Sequence, residues 1–325
     1  MRLADPWAIG VDLGGTKIEV AMVTNGGKLL ERRRRPTQVE AGPDAIIAEI
    51  AGAVKDLIAD GGSPPLGVGV GLAGQIDPHQ GVVRFAPNLR WQEVPFQEEL
   101  SQSLRLPVVV TNDVRAATWG EWLHGAGMGC DDLVCLFAGT GIGGGVVSGG
   151  KILSGCSNTA GELGHITIDL NGPLCTCGNR GCLEALAGGW AIALHAKEAV
   201  NADPEAGAFL LRMAGGGFET ITAKIVAEAA KAGDPLARRL VDSAAQALTA
   251  GAVSLINAFN PCRLILGGGV IEGLPYLVDQ IDRGIRGRAL PAATELLQVL
   301  PAKLGNDAGV IGAATLVIRT FKDKP

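Results

Sequence analysis

One imidazole and three thiols lie in a single short stretch: His165 in AGELGH, then Cys175, Cys177 and Cys182 in CTCGNRGCLE. Together they make a complete tetrahedral ligand set for Zn²⁺, with no position left open, so the metal they imply is structural. The same stretch carries two carboxylates the metal does not need, Glu162 and Glu184. A metal knot that fixes spare acids suits the floor of a binding site. Reduced structural thiols are the competing reading. Disulfides are disfavoured, because the opening MRLADPWAIGVDLGG lacks the apolar core of a signal peptide and the seven cysteines are odd in number. Cys130, Cys135, Cys156 and Cys262, in apolar or Gly-rich surroundings, read as core or near-core thiols.

Three glycine-rich turns sit at strand ends, where backbone N–H groups can approach anionic oxygens. They are Asp12-Leu13-Gly14-Gly15-Thr16-Lys17, Gly139-Thr140-Gly141-Ile142-Gly143-Gly144-Gly145, and Gly267-Gly268-Gly269. Each alone could serve only a hairpin. None is a Walker A loop, and the second, though close to GxGxxG, runs on into strand-like Val146-Val147. Three together fit a nucleoside triphosphate held between two lobes, with Asp12 serving Mg²⁺ directly or through water. A further acid, Asp113, ends the apolar run LPVVVTND. Poor solvation there suits a general base, while Asn112-Asp113 as a helix cap is the plainer alternative. Glu162 reads equally as a turn acid, and Glu184 as a cap for a helix starting near Leu183.

The elements that must hold these groups follow from the pattern. WAIGVDLGG, KIEVAMV and KLLERRRR read as consecutive strands joined by glycine turns. Apolar spacing from Asp44 to Asp60 predicts a helix ended by Pro64-Pro65. LGVGVGLAG is a buried strand of little side-chain bulk, Phe96 to Leu104 a helix, and PVVVT a strand. DDLVCLFAG and IGGGVVSGG form a second glycine-turned pair. From Leu183 to Asn260 the chain is helical with a break at Gly215–Gly217; CRLILGGGV is strand, turn and helix start, and Asp307 to Phe321 is helical. Two such strand-pair segments suggest a duplicated βββαβ-type unit: an α/β fold of two lobes with a cleft between them.

Composition agrees. The 325 residues are 47% hydrophobic and 19% charged, with 48 glycines, which suits two globular domains with many tight turns. No apolar run is long enough to span a bilayer, so no membrane partner is expected. A net charge of −5 argues against nucleic acid as a partner. The basic run Arg32 to Arg35 could invite a polyanion, but before Pro36 it reads as an exposed strand edge.

DLGGTKIE, TND followed by Ala-Ala, GTGIGGG, AGELGH, CTCGNRGCLE and NPCRLILGGGV, in that order from about Ile9 to about Gly312, resemble the ROK family of sugar kinases and sugar-responsive repressors. Within it, the chain is most similar to bacterial glucokinases. The resemblance implies the two-lobed, actin-like (hexokinase/Hsp70-type) ATPase fold. Residues 1–113 with 306–325 would form the smaller lobe, and 114–305 the larger one with the zinc knot. It implies transfer of the γ-phosphate of ATP to the 6-hydroxyl of a hexose, most simply glucose, with Asp113 as the base. Asn88, Asn112, Glu162, His165, Glu184 and the backbone at Gly74 would bind the sugar. One nitrogen of His165 would hold zinc while the other faces that sugar. Asp12, Gly14, Gly15, Thr16 and Lys17 would handle metal and phosphates, Thr140 and Gly141 the second phosphate loop, Gly268 and Gly269 the adenosine. A cytoplasmic homodimer is the family expectation. N-acetylmannosamine and N-acetylglucosamine kinases share these acids, and polyphosphate can serve as a donor. The family's repressors carry an N-terminal winged helix for which a phosphate motif at Asp12 leaves no room. Val114-Arg115 departs from the Ala-Asn that follows the base in many glucokinases, and Asn158 reads either as pocket lining or as a turn residue.

Overall fold

The computed structural model describes residues 6–61 and 63–321. They form two compact units. The first runs to Gly129, takes in Ile152–Gly161 and resumes at Lys303; the second comprises Cys130–Lys151 and Glu162–Ala302.

In the first unit, β1 (Trp7–Leu13), β2 (Lys17–Thr24) and β3 (Leu29–Pro36) are antiparallel neighbours, followed by α1 (Gly42–Gly61) and β4 (Val68–Leu72). A small sheet of β5 (Gln75–Ile76), β6 (Val83–Ala86) and β7 (Trp91–Val94) comes next. Then come α2 (Phe96–Leu104), β8 (Val108–Asn112) and α3 (Asp113–His124). The main sheet has the order β3-β2-β1-β4-β8, with β1, β4 and β8 parallel. Alternation along β1 explains its two faces. Trp7, Ile9, Val11 and Leu13 join a core with Ile46, Ile50, Val54 and Leu57 of α1.

The second unit repeats the plan with β9 (Leu133–Ala138), β10 (Ile142–Ser148) and β11 (Lys151–Ile152). Helices α4 (Leu183–Ala187), α5 (Gly189–Ala202), α6 (Ala208–Met213), α7 (Ala223–Lys231) and α8 (Pro235–Phe259) precede β12 (Arg263–Gly267). After it come α9 (Gly269–Gly273), α10 (Tyr276–Arg286), α11 (Pro291–Thr294) and β13 (Gln298–Pro301). Its order, β11-β10-β9-β12-β13, is that of the first sheet, as the expected duplication requires.

The chain then returns to the first unit as α12 (Ala308–Phe321). Ala8 and Ala21 pack against its Val310, Ala314 and Val317. Between them the helix backbone touches the sheet directly. A Cβ on Gly10 would lie 1.9 Å from the Val310 carbonyl oxygen, and one on Gly69 1.9 Å from that of Ala313. This is why β4 reads VGVGL. Helix α3 meets α12 just as closely, which keeps the residues after Asp113, as far as Gly129, in the first unit.

The basic run forms edge strand β3. Arg32 and Arg34 reach Glu19 at 2.8 and 3.1 Å, and Arg35 reaches Glu49 at 3.1 Å. Glu19 is only 1% exposed. Burial opposes its ionisation, yet hydrogen bonds from Arg34 and Lys17 outweigh burial and hold it below the usual carboxylate range. Two cysteine expectations need correcting. Cys130 and Cys135 are buried, but Cys156 and Cys262 are exposed, because Cys156 sits in the turn after β11 and Cys262 in the bend just before β12. Among the described residues, no helix is long and apolar enough to cross a membrane.

Candidate active site

Register places the acids of the first unit. Asp12 lies opposite Gly71, and Leu72 opposite Asn112, so Asp12, Gly74 and Asn112-Asp113 all stand at or just past the carboxyl ends of the parallel strands β1, β4 and β8. In open α/β sheets that edge is where ligands bind. Asn112 is indeed the cap of α3. Its Oδ1 accepts from the Val114 and Arg115 amides at 3.0 and 3.1 Å, so only its NH₂ group remains to meet a ligand. Asp113 is the first residue of the helix, and a carboxylate is favoured at that positive end.

Burial, with the charge of Asp113 second, pushes Asp12 up to about 6, while Lys17 pulls it down. An acid whose ionisation is opposed by burial and by a neighbouring carboxylate suits a divalent cation, whose charge would favour the ionised form. The Lys17 ammonium itself pairs with Glu19 at 3.1 Å. The turn Gly14–Lys17 is closed by the Gly14 amide donating to the Lys17 carbonyl at 3.0 Å. A Cβ at Gly15 would come within 2.9 Å of the Asn88 carbonyl oxygen, so Asn88 lies beside this turn.

In the second unit, the loop after β9 and the one after β12 share the carboxyl edge of their sheet, since Gly267 pairs with Phe137. The amides of Gly189 and Trp190, at the start of α5, donate to the carbonyls of Gly139 and Thr140 at 3.0 and 2.9 Å. Gly268 has φ +86, and a Cβ there would lie 2.5 Å from the Ala138 carbonyl oxygen. Only glycine brings these two loops that close.

Glu184 does not cap α4, whose cap residue is Cys182. Its carboxylate instead accepts from the Ile142 amide at 2.8 Å and the Trp190 indole at 3.2 Å. The acid after the cysteines is thereby fixed against the second glycine loop. Glu162 stands just before the turn Leu163–His165 and makes no side-chain cap, its carbonyl accepting from the His165 amide at 3.1 Å.

His165, Cys175, Cys177 and Cys182 present ligand atoms within 4.8 Å of one another. The Sγ atoms of Cys177 and Cys182 are 3.7 Å apart, and so are Cys175 Sγ and His165 Nδ1. A tetrahedron with bonds of about 2.3 Å has edges of about 3.8 Å, so the donors fit zinc closely. Burial, reinforced by the neighbouring sulfurs, pushes Cys182 up to about 12. Three thiolates this close need a cation to coexist.

Sequence reasoning missed Glu121 and the pairing of Arg115 with Asn158, both of which structure these loops. Buried Glu121 accepts from the amides of Ala126, Lys303 and Leu304 at 2.8, 2.9 and 2.7 Å. Arg115 holds Asn158, which is a turn residue at φ 61. Both rest on long-range partners with no local signature.

Residues 8–320 match the ROK family. A glucokinase from Streptomyces coelicolor is 38% identical over 95% of this chain and 96% of its own length. One from Thermotoga maritima is 38% identical over the same shares of the two chains. Among solved structures, a ROK family glucokinase from Streptomyces griseus, in complex with glucose and AMPPNP, superposes with a TM-score of 0.81. It is 39% identical over 95% of this chain and 98% of that one.

Proposed function

Because the chain belongs to the ROK family of actin-like ATPase fold, we propose that it is an ATP-dependent glucokinase, transferring the γ-phosphate of ATP to the 6-hydroxyl of glucose. The observation that carries this reading is the placing of Asp12 and Asn112-Asp113 at the carboxyl ends of β1 and β8, the parallel strands that flank β4, with Asp113 opening a helix. Asp113 accepts the proton from the sugar hydroxyl as that oxygen bonds to phosphorus and ADP leaves. A positioned base of this kind contributes about 10²–10⁴ in rate. The rest is alignment and charge neutralisation.

The residues assigned to the sugar are Gly74, Asn88, the Asn112 amide, Glu162, His165 and Glu184. Asp12 would hold Mg²⁺, which neutralises phosphate charge when bound. Gly14, Gly15, Thr16 and Lys17 meet the phosphates, Thr140 and Gly141 form the second phosphate loop, and Gly268 and Gly269 take the adenosine side. His165, Cys175, Cys177 and Cys182 would hold a structural Zn²⁺, which would fix the orientation of the His165 ring and leave its second nitrogen for a sugar hydroxyl. The working form is a cytoplasmic homodimer, which light scattering on the purified protein tests.

The deciding assay is ADP release with Mg-ATP and a panel of glucose, mannose, fructose, N-acetylglucosamine and N-acetylmannosamine. Turnover with a clear preference for glucose is expected. A preference for an N-acetylhexosamine would replace the substrate, and no turnover on any of them would overturn the kinase reading.

A further inference from the structure

Arg115 is buried, and as the third residue of α3 it lies at the positive end of the helix macrodipole, an unfavourable place for a cation. Its guanidinium is engaged. Nη1 donates to Asn158 Oδ1, and Nη2 to the carbonyls of Asn158 and Ala160 at 3.0 and 3.2 Å. Asn158 in turn donates from Nδ2 to the Ile76 carbonyl at 3.0 Å. Asn158 occupies the left-handed region at φ 61, which its short polar side chain tolerates.

Each end of this chain of bonds lies within a few residues of a group assigned to the sugar. Arg115 is two residues past Asp113, Ile76 two past Gly74, and Ala160 two before Glu162. The segment between Ser154 and Ala160 is itself closed by the Ala160 amide on the Ser154 carbonyl at 3.1 Å. Three separate stretches of sequence are therefore joined by one arginine and one asparagine.

We propose that Arg115 and Asn158 form a positioning clamp that fastens the segment ending at Gly161 to the base-bearing helix within the first unit, and so sets the enzyme's affinity for its hexose. This rests on the sugar-kinase reading. Neither residue touches the reacting atoms. The clamp acts on binding, because Asp113 is held by its own helix whatever happens at residue 158. Arginine is required over lysine, since the planar fork holds its donors in fixed directions towards the three oxygens of Asn158 and Ala160, whereas an ammonium on a flexible stem fixes no such geometry.

The test compares Arg115→Met, Arg115→Lys, Asn158→Gly and the Arg115→Met/Asn158→Gly double variant as zinc-loaded full chains. Glycine accepts φ 61, so Asn158→Gly removes the bridge without straining the backbone. The glucose KM is expected to rise at least tenfold in Arg115→Met and Asn158→Gly, with kcat within threefold and the ATP KM within twofold. Lysine should fall between, and the double variant should be no worse than the poorer single. Hydrogen exchange of the peptide covering 154–162 should speed up at least tenfold in Arg115→Met. An unchanged glucose KM in both single variants, or equal losses in both substrates and in melting temperature, would overturn the clamp. Unchanged exchange would overturn it as well. Should the parent protein turn over no hexose, the kinase reading fails, while exchange still decides whether Arg115 fastens the segment.

Discussion

At the scale of single residues, two carboxylates one strand apart divide the work. Asp113→Asn should keep glucose binding within a few-fold and lower kcat by about 10²–10⁴, measured by coupled ADP release and glucose titration. Asp12→Asn should also abolish turnover, yet stabilise the metal-free protein. A carboxyl whose pKa is raised from 3.8 to about 6 on folding binds its proton more tightly when folded, so stability falls as pH climbs through that interval. Above it the loss is about 3 kcal/mol, and at pH 5 about half as much. Melting curves in EDTA at pH 8 and pH 5 should show the gain from Asp12→Asn shrinking at the lower pH. Both acids were legible in the sequence, because an acid ending an apolar strand is conspicuous. Asn158 was legible as a turn residue and Arg115 as a departure after the base, but their pairing was not, because 43 positions separate them. Glu184 was visible as an acid near a helix start, but its partners, Ile142 and Trp190, lie on loops that only the fold brings alongside.

Elements were easier to read than their contacts. The long strands and helices fall where periodicity put them, and the bulk-free pattern of β4 was visible, though not the reason for it. That reason is α12, lying on bare backbone, and Gly69→Ala should cost about 3 kcal/mol in chemical denaturation, at the upper end for overpacking. The small sheet went unseen because strands of two to four residues are too short for alternation to register. The Cys/His cluster was the clearest element of all. Cys177→Ser should drop zinc below one per chain by metal analysis and weaken glucose binding at least tenfold, leaving ATP binding nearly intact. Full glucose affinity in a zinc-free protein would remove the metal from the account of the sugar site.

For the whole molecule the governing fact is that the first unit is discontinuous in sequence. Its two ends meet at Glu121, whose carboxylate takes amides from the stretch leaving the unit, at Ala126, and from the stretch returning to it, at Lys303 and Leu304. Glu121→Gln keeps only one acceptor oxygen and should lower stability by about 2 kcal/mol, read as a downward shift in the denaturant midpoint. The place of α12 has a consequence for biosynthesis. Strand β4 ends 236 residues before α12 begins (308 − 72) and β1 295 residues before it (308 − 13), which at ~5–20 residues per second means on the order of ten seconds or more. Through that interval the nascent chain carries a sheet whose glycine face has nothing on it, while the second unit, nearly continuous in sequence, can collapse on its own. Newly made protein is thus exposed to chaperones and to aggregation until α12 emerges and covers that face.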